Sequence, residues 1–225
     1  MIINTLIKNK VFSSLTDKEL KEISAYFNTR DFNKDETIFM EGDPSDWFYI
    51  VAEGRVKVVK HSLNGKDVIL EIILPGDVFG GVAVLDKRPF PASAEAMENI
   101  KVIRISRKDL FAVMEAYPSL NLTIVNYFSG RLRNAYDTLR DIATERVEIR
   151  IASLLLKLSE KTGTEENGFK KIGFPLTRQE MAEMVGTTVE TAIRTMSKFQ
   201  KEGMIKSAGG RVWVDPAAVR TFLDT

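Results

Sequence analysis

Glu190 and Arg194 stand one helical turn apart in the stretch Thr177 to Phe199, TRQEMAEMVGTTVETAIRTMSKF, with Val189 and Ile193 beside them. An arginine can donate two hydrogen bonds to O6 and N7 of a guanine. A glutamate can accept from N4 of the paired cytosine, and branched aliphatic side chains can touch thymine methyl groups. On one turn of helix the four fit a G·C pair flanked by A·T pairs in a major groove. On a merely solvated face Ile193 would gain nothing.

Two short helices must position them. Thr177 is expected to cap the first, with Glu180 three residues on completing a capping box. Met181, Met184 and Val185 then point inward, and small Ala182 allows a second helix to approach. Gly186 stops this helix, and Thr187 or Thr188 caps the next, which buries Ala192, Met196 and Phe199. Neither piece is stable in water by itself. Packed across a tight turn, with a third helix (ERVEIRIASLLLKLSEKTG) behind, they form a helix-turn-helix. MIKSAGGRVWVDP reads as two short strands around Gly209-Gly210, a small wing, whereas GTEENG upstream reads as a loop. From Thr191 to Arg211 there are five basic residues, Arg194, Lys198, Lys201, Lys206 and Arg211, against the single acid Glu202. That local surplus fits phosphate contacts. The bland alternative is a surface three-helix bundle that touches no nucleic acid.

Upstream, Val125, Phe128, Leu132, Ala135, Leu139 and Ile142 repeat at alternating steps of three and four between Pro118 and Glu145. Arg131, Arg133, Arg140 and Asp141 lie off this seam, so the stripe is narrow, as for a partner helix rather than a broad core. Self-pairing would make a homodimer. The region before it begins with a helical stretch, LTDKELKEISAYF, capped by Thr16 or Asp17. Strand-like runs follow: TIFM, WFYIV, RVKVVK, DVILEIIL, ASAEAM and KVIRI. RVKVVK should have one wet face, and DVILEIIL should be buried on both. Asn64-Gly65 is a hairpin signal between these two.

Composition removes most other functions. Without cysteine there is no disulfide, no thiolate zinc site, no cysteine-ligated iron–sulfur cluster and no cysteine nucleophile. With His61 as the only histidine, Ser-His-Asp chemistry and multi-histidine metal sites have little to be built from. No phosphate loop, nucleophile elbow or zinc-protease motif is present. Carboxylate-only catalysis would need paired acids, and Glu71, alone inside an apolar strand, has no evident partner. DFNKDE (Asp31 to Glu36) imitates the start of a calcium loop, but its sixth position is Glu36 and its twelfth is Gly42. MIINTLIKNKVF lacks the apolar core of a signal peptide, and no apolar run approaches a membrane span, so a cytoplasmic protein without membrane contact is expected. A net charge of +1 requires any basic surface to be local.

PGDVFGG, RPFPASAEA and LTRQEMAEMVGTTVETAIRTMSKFQKEGMI, in this order along the whole chain, resemble the CRP/FNR family of bacterial transcription regulators. The resemblance implies an α+β architecture. An N-terminal antiparallel β-roll of the cupin-like jelly-roll kind would occupy residues 1–118, a long dimerisation helix 119–145, and a C-terminal winged helix-turn-helix 146–225. It implies a homodimer on a palindromic operator in double-stranded DNA, with an effector in the roll and RNA polymerase as a further partner if the protein activates. In the family a Glu and an Arg one turn apart read a G·C pair; here they match Glu190 and Arg194. Val189 matches the branch of the oxygen-responsive fumarate–nitrate regulators, and Ile193 replaces that branch's common serine. Thr177, Arg178 and Gln179 match positions at the phosphates or groove edge, with Thr188, Lys198, Lys201 and Arg211 completing the expected DNA surface.

The sensor departs from the family. Cyclic-nucleotide-binding members carry Gly-Glu after the GD-x-F turn and an Arg followed by Ser or Thr; this chain has Gly80-Gly81 and Pro91-Ala92. A phosphodiester buried without its cation is strongly disfavoured, which argues against cAMP. An oxygen-sensing iron–sulfur cluster is excluded by the missing cysteines. Haem, with His61 as an axial ligand, would give a gas-sensing regulator of the same family. By family analogy a small apolar or aromatic acid could instead sit between the roll and the dimer helix, in a pocket of Phe79, Gly80, Gly81, Val82, Pro91, Ala92 and Ser93; a protein with no ligand is the remaining alternative. A non-DNA-binding regulatory module is the alternative from another class.

Overall fold

The computed structural model describes residues 1–62 and 67–224, so the expected Asn64-Gly65 turn lies outside the described residues. The chain divides into two compact units, Met1–Asn134 and Ala135–Thr225.

The first unit begins with α1 (Ile2–Lys8) and α2 (Asp17–Ile23). Thr16 caps α2, and Glu19 closes the capping box. The strands β1 (Phe27–Phe32), β2 (Thr37–Phe39), β3 (Trp47–Glu53), β4 (Val56–Lys60), β5 (Val68–Ile73) and β6 (Val78–Phe79) follow. Then come α3 (Gly81–Asp86), β7 (Ser93–Ala96), β8 (Ile100–Ser106), α4 (Arg107–Ala116) and the start of α5 (Ser119–Thr144). The strands form two antiparallel sheets, ordered β1-β8-β3-β6 and β2-β7-β4-β5. Between them lies one core, with Phe39, Tyr49, Phe79 and Phe90 at its centre. A second core, built on Phe12, Phe48, Ile50, Ile103 and Leu110, joins the opposite face of the first sheet to the helices.

The strand buried on both faces is therefore β3. Phe48 and Ile50 enter one core while Tyr49 and Val51 enter the other. The same expectation for β5 is corrected. It is an edge strand, and Val68 and Leu70 are 38% and 56% exposed. An apolar run alone does not say whether anything covers its second face. β1, FNTRDF, has no apolar alternation and was hidden from the sequence; its mainly exposed residues are held by backbone pairing with β8. β4 carries its wet positions as expected, although Arg55 just before it is buried and paired with Glu98 at 2.8 Å.

In α5, Leu120 and Ile124 are buried and Phe128 packs against the same core, so a stripe four residues apart faces the roll. Val125 and Leu132 point away, at 58% and 51% exposure. Half-buried Phe128, expected on the seam, also faces the roll, because in an α-helix it falls in line with Leu120 and Ile124.

The second unit takes the end of α5, with Tyr136, Leu139 and Ile142 exposed. Its core helix α6 (Val147–Thr162) buries Ile151, Ala152, Leu155 and Leu158. A hairpin, β9 (Thr164–Glu166) and β10 (Phe169–Lys171), stands where GTEENG was read as a loop. Asn167 and Gly168, both at positive φ, make its tight turn, and the polar strands lacked an apolar signal. Next come α7 (Arg178–Val185), α8 (Val189–Lys201), β11 (Ile205–Ala208), β12 (Arg211–Val214) and α9 (Pro216–Leu223). The sheet order is β11-β12-β10-β9, so the wing is the outer half of a four-stranded sheet.

His61 follows β4, with Nδ1 3.0 Å from Asp67 and Nε2 2.9 Å from Glu95. The hydrogen bond to Asp67, aided by both negative charges, raises its pKa above the ordinary value near 6.5. A raised folded pKa contributes stability that is full below the unfolded value and is lost as pH rises through the folded one. His61→Gln should therefore lower Tm most below about pH 6.5, with the gap to wild type narrowing at higher pH. A gap independent of pH in thermal melts would contradict the protonated pair.

Candidate functional site

The α7–α8 pair forms as the sequence dictates. Thr177 accepts from Glu180 N at 3.1 Å, and the Glu180 side chain accepts from Thr177 N at 2.7 Å, so two of the orphan donors at the helix start are satisfied. Gly186 ends α7 in the left-handed conformation at φ 66°, where a side chain would be strained. Thr188, rather than Thr187, caps α8 by accepting from Thr191 N. Met181, Ala182 and Val185 of α7 are buried, as are Ala192, Thr195, Met196 and Phe199 of α8; Met184 is half-buried.

That packing fixes what remains outside. Glu190, Arg194, Lys198 and Lys201 are exposed along one side of α8, Ile193 is 48% exposed, and Val189 is half-buried at its head. Arg194 and Lys201 engage no hydrogen-bond or ion-pair acceptor among the described residues. The Glu190 carboxyl is held below its usual range by hydrogen bonds from its own backbone N–H and from the Thr188 hydroxyl. It is thus an ionised acceptor at neutral pH. Lys198 places Nζ 5.8 Å from the Phe222 ring.

The residues flanking α8 are more committed. Arg178 is half-buried, and its Nη2 donates to Ser207 Oγ at 2.9 Å, tying α7 to β11; burial lowers its pKa. Gln179 donates to Glu183 on its own helix. Arg211 makes a long contact, 3.4 Å, to Gly173 O. Lys206 lies 3.9 Å over the Phe169 ring. Ser207 was missed by sequence reasoning. Nothing in a short polar strand signals a partner for an arginine 29 positions earlier.

In the first unit the expected effector residues are divided between core and surface. Phe79 stacks with Tyr49 at 5.0 Å in the closed core, and a Cβ on Gly80 would stand 3.0 Å from the Phe90 ring. Gly81, Ala92 and Ser93 are buried, while Val82 and Pro91 are exposed. Ser93 Oγ accepts from Glu41 N. A shallow cleft of about 550 Å³ in this unit is lined instead by Asp46, Lys87, Ser106, Arg107, Lys108 and Phe111. Glu71 is paired with Arg131 of α5. Both nitrogens of His61 face carboxylates, so an axial bond to haem would first have to break one of those pairs. Among the described residues no cluster of three or more His, Cys, Asp or Glu could hold a metal ion, and no helix is long and apolar enough to cross a membrane.

Comparison with known proteins agrees with this architecture. Residues 29–117 match the cyclic nucleotide-binding domain, and residues 149–222 match the Crp-like helix-turn-helix domain. The nitrogen fixation regulation protein FixK of Bradyrhizobium diazoefficiens is 30% identical over 213 residues, 94% of this chain and 89% of that protein. The CRP-like cAMP-activated global transcriptional regulator of Mycobacterium tuberculosis is 27% identical over 209 residues, 93% of each chain. The solved structure of FixK2 from Bradyrhizobium japonicum superimposes with a TM-score of 0.78, covering 87% of this chain and 96% of that one, at 23% identity. With a nucleotide-binding-type β domain, a long helix and a Crp-like helix-turn-helix in sequence, the chain belongs to the CRP/FNR family of bacterial transcription regulators.

Proposed function

We propose that this regulator is a cytoplasmic homodimer that reads a palindromic operator in double-stranded DNA through α8, without a cyclic nucleotide as its effector. The observation that carries the reading is the outward side of α8. Its first two turns present an ionised glutamate, an uncommitted arginine and a half-exposed isoleucine, with the opposite side buried against α6, α7 and β11. Glu190 and Arg194 take one G·C pair between them, and Val189 and Ile193 lie against neighbouring thymine methyls. Thr177, Gln179, Thr188, Lys198, Lys201 and Arg211 supply the phosphate side. Arg178 positions the wing through Ser207 and contributes charge from there.

Dimerisation rests on α5. Val125, Leu132, Leu139 and Ile142 stay 45–64% exposed, with Tyr136 at 61%, on a helix about 39 Å long at 1.5 Å per residue over 26 residues. The stripe itself, from Val125 to Ile142, spans about 26 Å of this helix, and such a face left in water is an unpaired coiled-coil face. Ala135 sits mid-stripe, where its small side chain allows close approach. If the protein activates, RNA polymerase is its further partner.

The case against a cyclic nucleotide is chemical. Gly81 offers no carboxylate for a ribose hydroxyl, and Pro91 offers neither a guanidinium nor an N–H for a cyclic phosphate.

Arg194→Ala should lose about 1–3 kcal/mol on the selected operator and relax preference at one base pair in each half-site. Full retention of preference in competition binding removes the assigned role. Lys201→Ala should weaken all duplexes alike and reduce the salt slope of log Kd by about 1; a loss confined to one sequence contradicts a phosphate contact. Leu132→Asp should halve the sedimenting mass with helicity retained and weaken operator binding by roughly 100-fold or more. An unchanged mass rejects the α5 pairing.

A further inference from the structure

The roll and α5 are joined, inside the first unit, by the chain's own side chains. Gly81 has an ordinary φ, so its lack of a side chain serves room. An added Cβ would stand 2.7 Å from Cζ of Phe128 and 2.9 Å from Cε2 of Phe48. The Phe128 ring fills the space that a glutamate at 81 would claim. One residue before it, Tyr127 accepts from Val78 N at 3.1 Å, and three after it, Arg131 donates Nη1 to Val78 O at 2.8 Å. Both backbone groups of Val78 are thus clamped by α5. The second arm of Arg131 pairs with Glu71, so β5 and β6 are held by one guanidinium. Behind this clamp the roll interior is filled by stacked rings, with Phe39 and Phe90 at 3.7 Å between centroids.

The chain's own side chains thus bridge the roll to the helix that carries the apolar stripe. We propose that the sensor is self-liganded: Phe128 seated on Gly81 and Arg131 clamped on Val78 and Glu71 set the rotation of α5 from within, and specific DNA binding needs no small molecule. The proposal rests on the reading of this chain as a DNA-binding regulator and assigns that regulator's effector site to its own residues.

The test uses the full chain, purified and dialysed, with a random-sequence duplex library and no added small molecule. The expected result is a recovered operator, and a native mass spectrum at the bare dimer mass. Phe128→Ala should weaken operator binding by about tenfold or more, as the competent state is depopulated. Arg131→Gln, which keeps the side-chain bulk, guards against a variant that fails to fold. Amide hydrogen exchange over residues 124–134 should be slow in wild type and faster in both variants. A wild type that selects an operator only after addition of a small-molecule filtrate of cell extract overturns self-liganding and keeps the DNA reading, as does a retained molecule whose removal abolishes binding. No selection with or without filtrate sinks the DNA reading, and exchange then decides the clamp alone: rates unchanged by both variants reject it.

Discussion

The packing of α7 against α8 across Gly186 is the constraint on which the rest depends. Each helix is too short to persist in water. Each therefore spends its apolar side on the other and on α6. With Ala192, Thr195, Met196 and Phe199 buried, helical geometry sends Glu190, Ile193 and Arg194 to the opposite side. The exposed side of α8 is a by-product of stability and cannot turn inward without dismantling the unit. The Thr177 and Thr188 caps and the left-handed Gly186 fix the two axes, and Arg178 extends the same order to the wing through Ser207.

The first unit solves a different problem. Its first sheet is covered on both faces, by the second sheet and by helices, so β3 acts as a two-sided hub. α5 enters this arrangement through Leu120, Ile124 and Phe128 and leaves its other side apolar and uncovered. One helix thereby has two allegiances. The inward one is set by contacts within the chain, and the outward one is exposed apolar surface. Two ion pairs here tie down groups that packing partly removes from water: Arg131 with Glu71, and buried Arg55 with Glu98.

Legibility followed the physical source of each element. The caps, the glycine stop, the inward residues of α7 and α8 and the wing were all readable, because local chemistry specifies them. The outward residues were readable by subtraction. β1 and the β9–β10 hairpin were hidden, since polar strands held by backbone pairing leave no apolar pattern. β5 was read as buried on both faces, and β3 was not singled out, because sheet order is a long-range property that periodicity does not carry. Phe128 was assigned to the seam by its spacing, yet Leu120 and Ile124 at steps of four before it already marked the inward stripe. The partners of Glu71, Arg178 and His61 include residues far along the chain, and residue type alone could not name them.

The most direct measurement of the central claim is dimethyl sulfate protection on a selected operator. It reports guanine N7 in the major groove and adenine N3 in the minor groove. The account predicts one protected guanine N7 in each of two half-sites related by a dyad and about 34 Å apart, with protection lost in Arg194→Ala. Reactive guanine N7 throughout a bound operator, or protection confined to adenine N3, would contradict it.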